Sequence, residues 1–387
     1  MTDVLDRARG MRKLVRDEAA ESERLRTLSP AIVDEMWASG LMSAFNPAEA
    51  GGVEPSFAEM IETWLEMAWQ DGSFGWIGIA NLPSTFAAAS YLPEQGFAEV
   101  FTAHDNHVTI GGQYFPNGQG TAVDGGYRLT GAWSFGSGTG HSAYVAAGFL
   151  PMDDGEMRWI AEGIPDMRVA FLPREEVVFT DGWHVQGLKG TGSYDYNVAD
   201  VFVPEYRTIP LFTREPLRGS SPAGRMGLMP VTAAGHAAFA LGVAKSMLDD
   251  VEELAATKVR MSDMATLASR QTFQKGLAHH VAAWRAARLL VLDAFTTAEA
   301  AVAAGNELTP RLRADMRVAA VYATDTAREC AEWAHLAAGT TAIREGSRLE
   351  RGFRDIYTGT QHAFISEKVA MDVAQIWLGI IDDQFGL

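Results

Sequence analysis

The sequence predicts an α+β protein of three successive domains: a helical domain over residues 1–106, a β-barrel or β-sandwich domain over 107–212, and a four-helix bundle over 213–387 that opens with a linker, 213–228. Apolar residues recur at helical spacing in the first segment, alternate with polar residues in the second, and return to helical spacing in the third. With 387 residues, 47% of them hydrophobic, the chain can bury a core of that size.

The first segment is predicted to be helical because its apolar positions repeat every three or four residues, as at Ile32, Met36 and Leu41. A second run of this kind surrounds Trp64. Between the two lies a stretch with paired glycines and flanking prolines, residues 46–55, which should stop one helix before the next begins.

The central segment carries the two-residue alternation and the dense turn residues of β-structure. Asp124, Gly125 and Gly126 separate two short alternating runs, a pattern that predicts a β-hairpin. Further strands, most of them bounded by Gly, Pro or Asp, are predicted at Tyr144–Leu150, Arg168–Leu172, Val177–Phe179 and Ala199–Val203.

Long amphipathic helices dominate the third segment. Apolar and aromatic residues follow one another at intervals of three or four over 273–295, which predicts one such helix. A second is predicted over about 309–338, ending near Gly339, and two shorter helices are predicted after Leu349. No strand is predicted after Pro230.

Charge and cysteine content argue against several classes of function. A formal net charge of −17 and a pI near 5.0 argue against a nucleic-acid partner, because such partners are bound through clustered Lys and Arg. Cys330 is the only cysteine, so no intrachain disulfide can form, and we expect a buried, inert thiol. Neither a signal peptide nor a membrane span is indicated, which predicts a cytoplasmic protein without membrane contact.

The sequence lacks the familiar nucleotide and metal motifs. The glycines of 187–192 have the spacing GxxGxG, follow no clean strand-to-helix turn and lack an acidic residue for a ribose, so they are not a nicotinamide fingerprint. There is no Walker A motif. His104 and His107 lie close together without further ligands, and the adjacent His279 and His280 would point apart on a helix. No metal site is therefore predicted.

Several motifs together resemble the acyl-CoA dehydrogenase superfamily, and more closely its branch of two-component flavin monooxygenases. They span nearly the whole chain: the double-glycine turn with the later Asp71–Trp76, the strand Leu129–Gly138, the segment Trp183–Asp195 with Val201–Pro204, and Arg270 with Phe273 as RxxF at the start of a long helix. The resemblance implies an acyl-CoA dehydrogenase-like fold and a flavin cofactor.

The resemblance also assigns residues around the flavin ring. Trp133, Ser134 and Phe135 are similar to the strand that lines the ring, where an aromatic wall and a few hydroxyl or backbone groups suit an apolar slot. Trp76 is expected to face the same ring. Ordinary core packing is the alternative for the three aromatic residues.

A second group of flavin contacts is implied in the helical bundle. Arg270 resembles an arginine that reaches a flavin phosphate, often across a subunit interface, and a guanidinium suits such a bidentate contact. A solvent-facing arginine is the alternative. Gly339 and Thr340 fall where a helix junction of the family approaches the flavin. A site completed between subunits implies a homotetramer.

The C-terminal segment separates two chemistries. Many acyl-CoA dehydrogenases carry a glutamate base shortly after an Arg-Asp pair, here Arg354–Asp355, but no glutamate occurs before Ser366 and Thr358 stands in that place. Some dehydrogenases hold the base on another helix, so the absence weakens that assignment without removing it. His362 follows the pair after six residues, as in the monooxygenase branch. An imidazole of ordinary pKa, about 6.5, can take a proton from a phenol or amine at neutral pH, which makes His362 the predicted catalytic base.

An oxygenating flavin also needs a dry pocket and a hydrogen bond beside its N5 atom. Ser134, Ser137 and the Trp133 backbone are the candidates for that bond. His141 either lines the site or occupies a turn.

Together these residues predict the oxygenase component of a two-component flavin-dependent monooxygenase that hydroxylates a small, aromatic substrate. Because no nicotinamide-binding signature is found, a separate reductase is expected to supply reduced FMN or FAD by diffusion. The alternatives are an acyl-CoA dehydrogenase or oxidase with bound FAD, and a non-catalytic scaffold that kept the fold.

Overall fold

The computed structural model describes residues 3–180, 182–261, 264–384 and 386–387. Along these residues the chain forms a run of α-helices, then a run of β-strands, then a second run of α-helices. This order confirms the predicted α+β fold class.

The N-terminal helices are α1 (Val4–Gly10), α2 (Arg12–Leu25), α3 (Pro30–Ala38), α4 (Phe57–Gln70), α5 (Gly72–Tyr91) and α6 (Glu94–Val100). Side-chain caps define where α4 and α5 begin. Ser56 and Glu59 form a reciprocal capping box at the start of α4. Asp71 accepts hydrogen bonds from the Ser73 and Phe74 amides at the start of α5, which is buried along almost its whole length.

The central strands are β1 (Ile110–Val123), β2 (Gly126–Gly136), β3 (Tyr144–Asp153), β4 (Glu156–Met157), β5 (Trp159–Ala161), β6 (Ile164–Pro165), β7 (Arg168–Pro173), β8 (Val178–Thr180), β9 (Tyr194–Pro204) and β10 (Thr208–Pro210). The predicted hairpin joins β1 to β2, with Val123 opposite Gly126. The four other predicted strands coincide with β3, β7, β8 and part of β9, which begins earlier than predicted, at Tyr194.

The main sheet has the strand order β10-β7-β3-β1-β2-β9-β8, in which only the β1–β3 pair is parallel. One face packs against α5 and α6 through residues such as Ile110 and Phe171. The other face covers a core made of strand residues and the neighbouring Val177, among them Leu129, Trp133 and Tyr196. Because no described helix covers that second face, the sheet must curl over its own side chains.

The C-terminal helices are α7 (Pro222–Met226), α8 (Leu228–Thr257), α9 (Gln271–Ala303), α10 (Pro310–Ala338), α11 (Arg348–Gly359) and α12 (Glu367–Trp377). The two predicted long helices are α9 and α10, and the two predicted shorter ones are α11 and α12. In the described part of the chain, α8 is long and apolar enough for a membrane span, yet 83% of its most apolar window is buried inside the protein.

Asp355 on α11 joins the bundle to the central domain. Its Oδ1 accepts a hydrogen bond of 2.6 Å from the Leu188 amide. The loop approaches α11 so closely that a Cβ on Gly187 would lie 2.1 Å from the Arg354 carbonyl oxygen, which only glycine avoids. Burial raises the pKa of Asp355 well above its usual range, and the nearby Asp71 carboxylate raises it further.

Asp355→Asn should remove a pH dependence of stability. In the unfolded chain this carboxyl loses its proton near its ordinary pKa of about 4, whereas the folded state keeps it to higher pH, so the folded state binds more protons and wild-type stability falls as pH rises above that value. The contribution is at most about 1.4 kcal/mol per pH unit. As the pH is raised from about 5 to about 7, the thermal midpoint of the wild type should therefore fall relative to that of Asp355→Asn.

The exposed Asp105, whose left-handed backbone tolerates asparagine, provides the control Asp105→Asn. Parallel pH curves for wild type and Asp355→Asn would contradict a raised pKa of Asp355.

Candidate active site

Three polar rings meet where α5, α8 and the end of α11 come together. The ring centroids of His236 and His362 lie 4.4 Å apart, and the Trp76 ring lies 5.3 Å from His236 and 6.0 Å from His362. Trp76 and His362 were predicted site residues, and the structure brings them together. We call these three residues the ring cluster.

His236 is the member of the ring cluster that the sequence did not reveal. It lies on α8 and is 6% exposed. A single histidine within a run of alanines and other apolar residues is the only sequence signal, and such a residue is as common in an ordinary core. Only the packing of α8 against α5 and α11 gives it a partner.

Gly359, the last residue of α11, makes room for the ring cluster. A Cβ at this position would lie 2.3 Å from the Phe239 ring and 3.0 Å from Trp76. Phe239 in turn packs edge-on against Trp76 at 5.0 Å. The tryptophan ring is therefore held by contacts from both α8 and α11.

A chain of hydrogen bonds links Trp76 to the central domain. Trp76 Nε1 donates to Ser137 Oγ at 2.9 Å, and Ser137, Ser193 and Thr191 are joined by their hydroxyls at 2.9 and 2.7 Å. Thr191 Oγ1 donates its hydrogen to the Leu188 carbonyl, so the Ser193 hydroxyl must donate to Thr191 and the Ser137 hydroxyl to Ser193. Ser137 Oγ can therefore act toward a ligand only as an acceptor.

Both histidines of the ring cluster are held neutral. The pKa of His236 lies well below its ordinary value because the ring is buried, with smaller contributions from His362 and Arg317. Desolvation and then the positive charge of Arg317 lower the pKa of His362 as well. His362 reaches solvent as a residue, so solvent screens this effect more than at His236.

A backbone contact selects the tautomer of His362. The Phe364 amide donates a 3.2 Å hydrogen bond to His362 Nδ1, which leaves the proton of the neutral ring on Nε2. Among the described residues, His236 has no hydrogen-bond partner, so one of its nitrogens is free to accept a proton. The pair thus offers a donor on His362 beside an acceptor on His236.

Two aromatic residues of β2, Trp133 and Phe135, lie in different environments, whereas the sequence predicted one shared aromatic wall. The Trp133 ring is 1% exposed, stacks on Tyr196 at 5.3 Å and donates to the Gly148 carbonyl. The ring therefore packs inside the sheet, as in the core-packing alternative to a place beside the flavin. Phe135 is instead 64% exposed, because a left-handed backbone conformation with φ of 63° turns it away from that core. Ser134 is exposed beside it.

The structure places Arg270, Gly339 and Thr340 at the opposite end of the bundle. Lys258 caps the far end of α8, and its Nζ bonds Thr341, next to Thr340. The Leu267 amide bonds the Lys258 carbonyl and the Arg270 amide bonds the Leu267 carbonyl, which brings Arg270 to the same end. At 1.5 Å per residue, α8 separates this end from His236 by about 33 Å.

The other sequence candidates lie outside the ring cluster. His141 lies near Arg174 with both ring nitrogens buried and without partners in the described part of the chain, and burial lowers its pKa to about 4. Cys330 is buried as predicted, and burial raises the pKa of its thiol to about 12. The described residues hold no group of three metal-ligating side chains.

Known proteins resemble the chain over most of its length. A family described as "Acyl-CoA dehydrogenase, C-terminal domain" matches residues 234–367. Indole-3-acetate monooxygenase of Pseudomonas putida is 30% identical over 370 residues, covering 94% of this chain and 91% of that protein. The oxygenase subunit HsaA of a flavin-dependent monooxygenase from Rhodococcus jostii (strain RHA1) is 29% identical over 362 residues, covering 90% and 91%. The crystal structure of the HsaA monooxygenase from M. tuberculosis matches with a TM-score of 0.89 at 26% identity, covering 97% of each chain.

The fold and these similarities define an acyl-CoA dehydrogenase-like enzyme. Within that class, the chain belongs to the two-component flavin-dependent monooxygenases, as the sequence motifs implied.

Gly359→Ala should disturb the ring cluster. The added methyl group has no space between Phe239 and Trp76, so the free energy of unfolding should fall by about 1–3 kcal/mol and flavin affinity should weaken as Trp76 moves from Ser137. Gly10→Ala is the control, because a Cβ there meets no atom within 4 Å. If both variants match wild type in thermal midpoint and flavin affinity, Gly359 does not position Trp76.

Proposed function

We propose that the chain is the oxygenase component that hydroxylates a small aromatic substrate with reduced flavin and O2. One oxygen atom enters a substrate C–H bond, the other leaves as water, and reduced flavin supplies the two electrons. The observation that carries the proposal is the neutral pair His236–His362 beside the bond from Trp76 to Ser137. The names of the relatives, a monooxygenase of an indole acid and a flavin-dependent oxygenase subunit, support the same reaction type.

The flavin, reduced FMN or FAD delivered by a separate reductase, supplies the activation of oxygen when it is bound. Two groups of residues in this chain are suited to bind the flavin. Phe135 offers an exposed aromatic face with Ser134 beside it, held in a strained backbone conformation of the kind that clusters at functional sites. Ser137 Oγ, its own hydrogen committed to Ser193, can accept from a ring N–H such as that of reduced flavin N5.

The histidine pair is proposed to handle the substrate proton. His236 accepts it, while His362 Nε2 donates a hydrogen bond that orients the substrate oxygen or nitrogen. This refines the assignment of His362 as the sole base, because its Nδ1 is occupied by the Phe364 amide. Removal of the proton makes an aromatic carbon electron-rich enough to be oxygenated.

The assembly is proposed to be a cytoplasmic homotetramer with domains at 1–106, 107–212 and 213–387. Apolar side chains are exposed on the outer helices of the bundle, among them Leu289 on α9, Leu336 on α10 and Met371 on α12, at 61%, 67% and 57%. Because Arg270, Gly339 and Thr340 lie far from the ring cluster, a partner copy must supply them if they bind the same flavin.

Anaerobic protein with reduced FMN or FAD, mixed rapidly with O2, should show a transient absorbance distinct from both reduced and oxidised flavin. His236→Gln should keep this transient but lose hydroxylated product, by about 10²–10⁴-fold, because glutamine cannot take up a proton. His362→Leu should also keep the transient and lose product, because leucine has no donor to orient the substrate. The double variant should lose no more than the worse single variant, since the pair acts as a unit.

His104→Gln, at an exposed position away from the ring cluster, is the control and should keep full product yield. Direct reoxidation without a transient in the wild type would overturn the proposed function. Reduction of tightly bound FAD by an acyl-CoA would instead establish the dehydrogenase alternative.

Mixed oligomers test whether two copies share one site. Arg270→Met and His236→Gln should each be inactive alone, but co-expressed chains should recover roughly a quarter of wild-type product formation, since that fraction of sites receives both intact residues. Product should be measured on the purified mixture, with separately purified homo-oligomers as the control. No recovery in a mixed oligomer, or a monomer that is fully active, would contradict the shared site.

A further inference from the structure

Arg317 on α10 is a buried guanidinium that forms no ion pair with any residue that the structure describes. The residue is 5% exposed, and its Nε and Nη1 atoms have no hydrogen-bond partner in the described part of the chain. The guanidinium lies 3.5 Å from the centroid of the Phe364 ring, which covers its flat face. Its in-plane donors are therefore left for a ligand.

A buried charge in this state is unfavourable unless something pairs with it. The carboxylate that acts on Arg317 is Asp372, and that side chain is already paired with Lys368. Burial lowers the pKa of Arg317 only to about 10, so the group is charged at neutral pH. Arg313, one helical turn earlier and 6% exposed, does have a counter-charge, because its Nη2 donates to both oxygens of Asp383 at 2.6 Å.

Arg317 lies next to the ring cluster. Phe364, the ring beneath the guanidinium, is 5.8 Å from His236 and 6.5 Å from His362 between centroids. The positive charge also acts on both histidines. An anionic group on Arg317 would thus lie about one aromatic ring away from the residues that handle the substrate proton.

We propose that Arg317 binds the carboxylate of the substrate, which makes the substrate an aromatic carboxylic acid. The inference rests on the proposed function and names its substrate class. A guanidinium and a carboxylate match in charge and in planar, paired hydrogen-bonding geometry. The aromatic part of the acid extends over Phe364 toward the histidine pair, where the ring to be hydroxylated meets the flavin.

Calorimetric titration of the full-length protein with two matched pairs of probes tests this assignment: indole-3-acetate with indole-3-acetamide, and phenylacetate with phenylacetamide. The amides keep the shape and remove the charge. At least one acid should bind the wild type tenfold or more tightly than its amide. Arg317→Met should abolish that preference, Arg317→Lys should retain part of it, and Arg313→Met should leave it intact.

Thermal midpoints separate a binding role from a structural one. Without ligand, Arg317→Met should melt at or above the wild-type midpoint, because it removes an unpaired buried charge, whereas Arg313→Met should melt lower, because it breaks an ion pair. A large drop for Arg317→Met alone, with the preference for acids unchanged in Arg317→Lys, would make the residue structural and overturn the proposal.

Equal affinity for acid and amide in both pairs would also overturn it. So would an effect of Arg317→Met confined to the affinity for reduced FMN or FAD, which would assign the arginine to the cofactor. The flavin transient is measured without substrate, so its loss in the wild type counts against the proposed function alone, while the titration still reports on the carboxylate.

Discussion

The hydrogen bond from the Leu188 amide to Asp355 holds the site together. It ties α11 to the loop whose carbonyl and hydroxyl groups lead through Thr191, Ser193 and Ser137 to Trp76. The same helix ends at Gly359, which makes room for that tryptophan, and the chain continues from there to His362. One buried carboxyl therefore sets the position of residues from α5, from the turn after β2 and from the end of α11.

Burial determines the chemistry available to these residues. Imidazoles packed among aromatic rings and near a guanidinium stay neutral, so they can divide donor and acceptor roles between them. Arg317 itself stays charged, with no hydrogen-bond partner for its Nε and Nη1 atoms among the described residues. Such groups are unfavourable in a resting protein, and their concentration around Trp76 and Phe364 marks the region as one shaped for a ligand rather than for stability.

Much of the fold followed from periodicity, because α9 and α10 each present one apolar stripe to the core and the hairpin turn at Gly125 is a local signal. The site was less predictable. Alternation along β2 implied that neighbouring aromatic residues share one environment, but the left-handed backbone at Phe135 turned one of them outward. His236 had no local signal at all, since its role arises only when α8 packs beside His362.

The unpaired guanidinium of Arg317 has a practical consequence for finding what this enzyme acts on. A protein that buries an uncompensated charge gains more than ordinary binding energy when the right anion arrives, since the ligand also relieves a defect of the empty state. The rise in thermal midpoint across a library of aromatic acids should then rank the compounds by how well they pair with the Arg317 guanidinium. The resting protein can thereby identify its own substrate class through its stability, without catalytic turnover.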